Sequence, residues 1–384
     1  RVGPSKMRIY HKESVYDAAI KRINWLYDEF PNIVVSVSGG KDSTVCFELT
    51  LQIARQRNRL PLNCLWIDQE GEWQSTVEMQ RYMMHHPDVK PYWIQVPFRL
   101  FNAASTYDHW LKCWDKESKD LWIHPQDPVA LTENVYGTDR FRNLFTKIRK
   151  YHFGHIPTAN IGGVRGEESP KRLSGLTRDD TFKGATWAKV EDKKLNHYTF
   201  YPLYDWSYTD IWKAIHDNNW RYNSLYDKLY QYGVPVTQMR VSNLHHETAV
   251  QNLFFIQELE PETYGRLTRR LAGIDMAGKM GVKDFFVPTT LPFMFSSWKE
   301  YRDYLCVNLI DQEWQERFAR MFAVDDRDIG EELGDKKYKR HIRSILVNDW
   351  EGDSLKHYRS TGDYREILRN RRIAEGLRTP LVTS

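Results

Sequence analysis

One unbroken run, Ser38-Gly39-Gly40-Lys41-Asp42-Ser43 followed by Thr44, concentrates more chemistry than any other stretch of the 384-residue chain. Two adjacent glycines carry no Cβ, so successive backbone N–H groups can wrap an oxyanion. Ser38, Ser43 and Thr44 add hydroxyls, and Lys41 adds a compact positive charge. The run follows a β-branched segment, Asn32 to Val37, and precedes an apolar helical pattern from Thr44 to about Gln56. Strand, glycine turn and helix together aim the positive end of a helix at whatever the turn holds, which is the arrangement for phosphate. The spacing Gly-x-x-x-x-Gly-Lys-Ser/Thr of the usual P-loop is absent. A bare Gly-Gly would read as a tight turn with a helix cap; the whole hexapeptide reads as a phosphate cradle.

A second candidate group is Gly162-Gly163-Val164-Arg165-Gly166-Glu167-Glu168-Ser169, at the end of a strand-like run from Ile156. A guanidinium at a strand end suits a bidentate phosphate contact, with a surface Arg–Glu pair as the alternative. Lys171, Arg172 and Arg178 follow, either closing over a ligand or lying solvated. Asp68 and Glu70 end the strand-like run Leu62 to Ile67, where carboxylates can hold a ribose hydroxyl or Mg²⁺ or cap the next helix. Asp42 is a further Mg²⁺ candidate, against its simpler use as helix-dipole compensation. The histidine pairs His85-His86, His152/His155 and His245-His246 have no further ligands at metal spacing, so no zinc site is expected.

These residues need a scaffold, and the hydrophobic pattern supplies one. Strand-like runs at 32–37, 62–67, 91–96, 156–163 and 198–203 alternate with helical patterns at 14–30, 44–56, 76–84 and 208–218. That alternation predicts an α/β domain with a doubly wound, parallel sheet. Residues 97–150 are rich in Trp and charge without a clear period and read as an insertion; 170–196 read as a polar, mobile loop. From about 236 only helical patterns continue (249–258, 261–273, 297–322). The expected division is a nucleotide-binding domain over 8–235 and a helical, basic domain over 236–384.

The net charge of +4 is unevenly spread. Residues 336–378 hold 12 Lys/Arg against 6 Asp/Glu, which points to an anionic partner. Lys336, Lys337, Lys339, Arg340, Arg371 and Arg372 are the candidates for nucleic-acid phosphates, with an ordinary charged helix face as the competing explanation. No apolar run reaches the roughly 18 residues of a membrane span. Cys46, Cys64, Cys113 and Cys306 lack the spacing of a zinc ribbon, an iron–sulfur site or a disulfide framework. A reduced, cytoplasmic protein without an iron–sulfur cluster is expected.

The 38–43 loop resembles the signature of the PP-loop ATP pyrophosphatases, in their phosphoadenosine-phosphosulfate (PAPS) reductase-like branch. The Gly163–Ser169 segment resembles that branch's arginine loop. The run from Tyr201 through Pro202, Leu203, Trp206 and Asp210 to Trp212, with Tyr222-Asn223-Ser224-Leu225-Tyr226-Asp227, resembles its third element. Trp66 to Gly71, Thr76, Tyr92-Trp93, the 156–172 segment, Met239-Arg240 and Tyr338 to Arg340 together resemble a narrower group, which includes the immunoglobulin-binding regulator A type and is often labelled a PAPS reductase or sulfotransferase.

The resemblance implies an adenine nucleotide alpha hydrolase-like PP-loop fold, with a mainly parallel five-stranded sheet, binding ATP with Mg²⁺, or PAPS. The nucleotide would lie between the 38–44 loop and Gly163, Arg165 and Arg172, with Lys41 and Arg165 catalytic. The Glu-Cys-Gly-x-His nucleophile of thioredoxin-linked PAPS reductases is absent, as are the Cys-Cys pairs of adenylyl-sulfate reductases. Cleavage of the α–β phosphate bond of ATP to adenylylate an acceptor is therefore expected ahead of sulfo transfer or reduction. A nucleotide-responsive regulator, or a component of a DNA modification or defence system with a partner protein, is the third reading.

Overall fold

The computed structural model describes residues 12–102, 105, 110–168, 170–177, 180–236, 239, 241, 244, 252–274, 290–308, 312–347 and 349–374. The chain divides into two compact units, one of residues 1–98 with 112–243 and one of 99–111 with 244–384.

The first unit is a six-stranded sheet flanked by helices. Its elements are α1 (Val15–Glu29), β1 (Asn32–Ser36), α2 (Lys41–Gln56), β2 (Leu62–Ile67), α3 (Gln74–Met84) and β3 (Val89–Ile94). After the two-stranded ribbon β4 (Phe98–Phe101) and β5 (Trp110–Cys113) come α4 (Phe141–Phe153), β6 (Thr158–Gly162), α5 (Pro170–Thr177), β7 (Ala188–Asp192), β8 (His197–Phe200), α6 (Tyr208–Asp217) and α7 (Leu225–Gln231). The order is β3-β2-β1-β6-β8-β7. The first five strands of that order run parallel, as the pattern predicts. The sixth, β7, pairs antiparallel with β8.

That edge strand lies inside the stretch expected to be a loop. Its outward Lys189 and Val190 are exposed, and the Arg149 guanidinium ties Glu191 down at 3.1 Å. A polar edge strand of this kind carries no hydrophobic alternation to read.

Alternation of the strand side chains builds two cores. Ile33, Val35 and Val37 face a cluster with Ile23 and Leu26 of α1, Val45 and Leu49 of α2, and Ile211 and Ile215 of α6. Val34 points to the opposite face, where Phe153 of α4 meets Tyr92 with ring centroids 5.2 Å apart. The parallel strands are therefore buried on both sides, as a doubly wound sheet requires. The sequence order reverses between β2 and β6 on either side of β1, so the crevice beyond the carboxyl ends of β1 and β6 is the topological switch point.

The second unit is helical where described, with helices Asn252–Leu259, Pro261–Arg270, Trp298–Asn308, Gln312–Ile329, Asp335–Leu346, Asp353–Arg359 and Gly362–Ala374. Phe318, Phe322, Ile342, Ile345 and Trp350 form its core, joined by Phe101 and Trp110 of the 99–111 segment, which belongs to this unit. Among the described residues, no helix is long and apolar enough to cross a membrane.

Candidate functional site

Ser36 and Gly162 are paired in the β1–β6 ladder, so the loops after both strands leave the sheet side by side. Together they floor a cleft of about 690 Å³ lined by Ser38, Gly40 to Ser43, Gly163 to Arg165, Glu167, Glu168, Arg172, Tyr208, Tyr226, Val236, Met239 and Val241.

Gly39 has φ +71°, and a Cβ there would stand 2.8 Å from Thr76 Cγ2. Gly163 is tighter still: its Cβ would fall 2.6 Å from the Ser43 amide nitrogen and 2.7 Å from the Asp42 carbonyl carbon. Only a glycine lets the second loop press against the start of α2. Gly40 is the N-cap of α2, and no side chain caps that helix. The Thr44 amide makes the first intrahelical bond, to Gly40 O. The amides of Asp42 and Ser43 are first-turn donors without an intrahelical acceptor. The Ser43 and Thr44 hydroxyls are turned inward, both donating to Gly40 O, at 2.9 and 3.0 Å. Ser43 Oγ also accepts from the Ser38 amide at 3.2 Å. They shape the turn, while the backbone and the charged side chains face the cleft.

Arg165 is only 5 % exposed. Its Nε donates to Asp42 Oδ1, and its Nη1 donates to Glu167 Oε2 at 3.0 Å. Lys41 Nζ lies 3.4 Å from Asp42 Oδ2. One carboxylate thus stands between the two cations. Arg172, at the rim, is paired with Glu168. Arg178 and Arg240 lie outside the described residues, as do His245 and His246.

The third sequence element braces the first two. Gly166 N donates to Tyr204 O at 2.8 Å, and Tyr208 N donates to Glu167 Oε2 at 2.8 Å. Ser207 and Asp210 form a capping box at the start of α6. Asn223 Nδ2 donates to Gly39 O at 3.1 Å and to Thr76 Oγ1 at 2.9 Å. The Tyr226 hydroxyl accepts the Lys41 N–H at 3.1 Å. Asn223, Tyr226, Glu167 and Glu168 were not among the residues that the sequence singled out as site residues, although the motifs containing them were.

Asp68 and Glu70 are not brought to the cleft. Both are fully buried. Asp68 Oδ2 accepts from Trp93 Nε1 at 2.9 Å and Gln95 Nε2 at 2.8 Å, its Oδ1 accepts from Glu70 N, and His124 Nε2 lies 3.3 Å away. Glu70 Oε2 accepts from Trp114 N at 2.8 Å. Nearby, burial pushes the Glu72 carboxyl well up, with the Asp68 charge adding to it. These carboxylates organise the loop after β2 and are spent on protein partners.

In the second unit, Lys336, Arg340 and Arg372 are exposed, Lys339 lies over the Trp298 ring at 4.3 Å and Arg340 over the Tyr358 ring at 3.9 Å. Arg371 is half-buried beside Gly330. Lys337 departs from the expectation: it is fully buried and donates at 2.7 Å to both Asp326 Oδ1 and Gly330 O. It sits on the inward face of its helix with Tyr338, His341 and Ile345, so it cannot meet an external phosphate. Two exposed stripes become visible instead, Lys336/Arg340/Arg343 and Arg365/Arg369/Arg372, each at i, i+4, i+7 spacing on one helix face.

Comparison with known proteins identifies relatives of this chain. Residues 32–239 match the phosphoadenosine phosphosulfate reductase domain, and residues 233–328 match a domain of unknown function, DUF3440. The uncharacterized protein YbdN of Escherichia coli K12 is 26 % identical over 81 % of this chain and 79 % of its own. The adenosine 5'-phosphosulfate reductase of Lysinibacillus sphaericus is 25 % identical over 58 % of this chain and 79 % of its own. Among solved structures, the PAPS reductase of Candida auris in a phosphate complex is 14 % identical, covering 62 % of this chain and 98 % of that one at a TM-score of 0.33. The FMN adenylyltransferase of Candida glabrata is 17 % identical, covering 57 % and 62 % at 0.33. With more than half of its length matched, the chain belongs to the phosphoadenosine phosphosulfate reductase domain family and is, in broad class, a PAPS reductase-like nucleotide-binding enzyme.

Proposed function

We propose that the protein binds ATP in the cleft at the β1/β6 switch point and cleaves its α–β phosphate bond, adenylylating an acceptor. The observation that carries this reading is the trio Lys41–Asp42–Arg165 at the uncapped start of α2, in a cleft that none of the four cysteines lines. An acceptor oxygen attacks the α-phosphorus. The bond from that phosphorus to the bridging oxygen breaks, and pyrophosphate leaves with the electron pair. A second nucleophile then displaces AMP. The chain supplies position and charge: the first-turn amides of α2, Lys41 and Arg165 hold the phosphates where negative charge builds. No side-chain nucleophile is needed.

Mg²⁺ fits this site in the way that ion is commonly held, by one or two carboxylates together with substrate phosphates. Asp42 is the carboxylate placed for it, already facing two cations. When bound, the ion would offset the charge of the phosphates. Among the described residues no group of three or more His, Cys, Asp or Glu could hold a metal alone, in keeping with an ion that arrives with the nucleotide.

A sulfonucleotide is the competing ligand of the same loop. Sulfo transfer to the protein calls for an accessible thiolate of lowered pKa. Cys46, Cys64 and Cys113 are fully buried. Burial pushes the thiols of Cys46 and Cys64 up, and that of Cys306 up to about 11. Four free thiols go with a cytoplasmic location.

The test is calorimetric titration of ATP, with and without Mg²⁺, and of PAPS into the wild type and Arg165→Ala. Preferential Mg-ATP binding, weakened in the variant, supports the proposal; preferential PAPS binding overturns it in favour of the sulfonucleotide. The two basic stripes of the second unit favour one additional property, nucleic-acid binding. A salt-dependent shift of DNA or RNA that disappears in Arg340→Glu/Arg369→Glu/Arg372→Glu is its expected signature.

A further inference from the structure

The cleft contains a donor that the phosphate loop itself does not supply. Tyr226 is 5 % exposed and lines the cleft together with Lys41 and Arg165. A phenol has one hydrogen to give and lone pairs to receive. The Tyr226 oxygen receives the Lys41 N–H at 3.1 Å. Among the described residues its own hydrogen has no acceptor. Lys41 opens α2, so its N–H is one a phosphate would otherwise take. Tyr226 occupies that amide and offers its own hydroxyl hydrogen in its place.

The ring has little freedom. The Trp212 ring meets it edge-on at 5.2 Å and 89°, and Asn223, three residues earlier, is fastened to Gly39 and Thr76. The Lys41 ammonium lies over the ring, 5.3 Å from its centroid. Burial, with the Asp42 charge adding to it, pushes the phenol's ionisation upward and keeps it a donor at neutral pH.

We propose that the Tyr226 hydroxyl is a ligand of the nucleotide, donating to a non-bridging phosphoryl oxygen while it accepts the Lys41 amide hydrogen. The chain Lys41 N–H to Tyr226 O–H to phosphoryl oxygen runs in one direction, so each bond polarises the next. The inference rests on the phosphate reading of the 38–43 loop and adds a contact from α7, an element 185 residues away from Lys41 in sequence.

The test is titration of inorganic pyrophosphate and of Mg-ATP into the wild type and Tyr226→Phe, which keeps the ring and its Trp212 contact. The expected result is binding weaker by about tenfold or more for both probes, as loss of a hydrogen bond to a charged group implies, with an unchanged melting temperature. Unchanged affinity in Tyr226→Phe overturns the proposal and leaves Tyr226 as a brace of the loop. A wild type that binds neither probe overturns the phosphate reading itself. If Tyr226→Phe melts lower, Tyr226→3-fluorotyrosine decides: this more acidic phenol is a stronger donor. Tighter pyrophosphate binding then supports the proposal, and equal or weaker binding overturns it.

Discussion

Arg165 and Asp42 form an ion pair that ties the two loops of the switch point together, with Nε of the guanidinium on Oδ1 of the carboxylate. Lys41 approaches the other carboxylate oxygen, so Asp42 is paired with both cations that the proposed function assigns to the phosphates. The carboxylate is their counterion, and under the proposed function a nucleotide would have to displace it.

This relationship gives Asp42→Asn two opposite effects. Without Mg²⁺, pyrophosphate binding should tighten several-fold, because the competing charge is gone. With Mg²⁺, ATP binding should weaken tenfold or more, because the carboxylate placed for the ion is lost. Calorimetry with each ligand reads both; weakening in both conditions would show that Asp42 is not a competitor.

Gly163→Ala should be severe. The added methyl would meet backbone at 2.6–2.8 Å, and backbone cannot rotate away as a side chain can. A destabilisation of about 1–3 kcal/mol is expected from overpacking, with at least tenfold weaker Mg-ATP binding. Gly175→Ala, inside α5 where a Cβ meets nothing within 4 Å, is the control: it should leave binding unchanged and raise stability by up to about 1 kcal/mol.

Acid should weaken the second unit through a buried cluster. His341 and Asp325 are fully buried and 3.0 Å apart, with Tyr364 OH and Arg359 Nε also on Asp325. Burial holds the His341 imidazole below its ordinary value, although Asp325 pulls it the other way. A folded-state pKa below the unfolded one gives stability that is present above about pH 6.5 and is lost as pH falls through the folded value. Burial opposes ionisation of Asp325, but His341 and Arg359 outweigh it and hold its pKa down, so a further loss follows in stronger acid. Urea unfolding from pH 8 to 5 should show falling midpoints, and His341→Gln should flatten the slope between pH 7 and 5.5.

Lys337 and its exposed neighbours should separate cleanly. Lys337→Ala removes a buried ammonium from Asp326 and Gly330 O and leaves a cavity, at about 2–4 kcal/mol. Arg369→Ala and Arg372→Ala, both exposed, should change stability by less than about 0.5 kcal/mol. Salt-dependent nucleic-acid retention should follow the arginines. Retention that instead follows Lys337, once unfolding is accounted for, would contradict the assignment of the stripes.

Much of this was legible in residue order. Ile33 to Val37 and Leu62 to Ile67 are β-branched or apolar runs ended by turn residues, and a strand ending in Gly39-Gly40 or Gly162-Gly163 announces a close backbone approach. Pairings across long sequence separations were not legible. Asp68 and Glu70 look like ligands in one dimension, because Trp93, Gln95 and Trp114 reach them only once the sheet has formed. Lys337 looks like one basic residue among several, and only the rotation of its helix buries it. Tyr226 sits in a motif whose side-chain targets cannot be read from spacing.

The pairing of Ser36 with Gly162 fixes more than topology. Hydrogen-bonded neighbours in a sheet stand roughly 4.8 Å apart, and packing on both faces leaves that distance almost no slack. The phosphate loop and the arginine loop therefore act as the jaws of a caliper with a set gap. Under the proposed function, room for a bulkier acceptor would lie at the outer rim, around Arg172, Tyr208 and Val236, whereas the gap between the two loops stays the same.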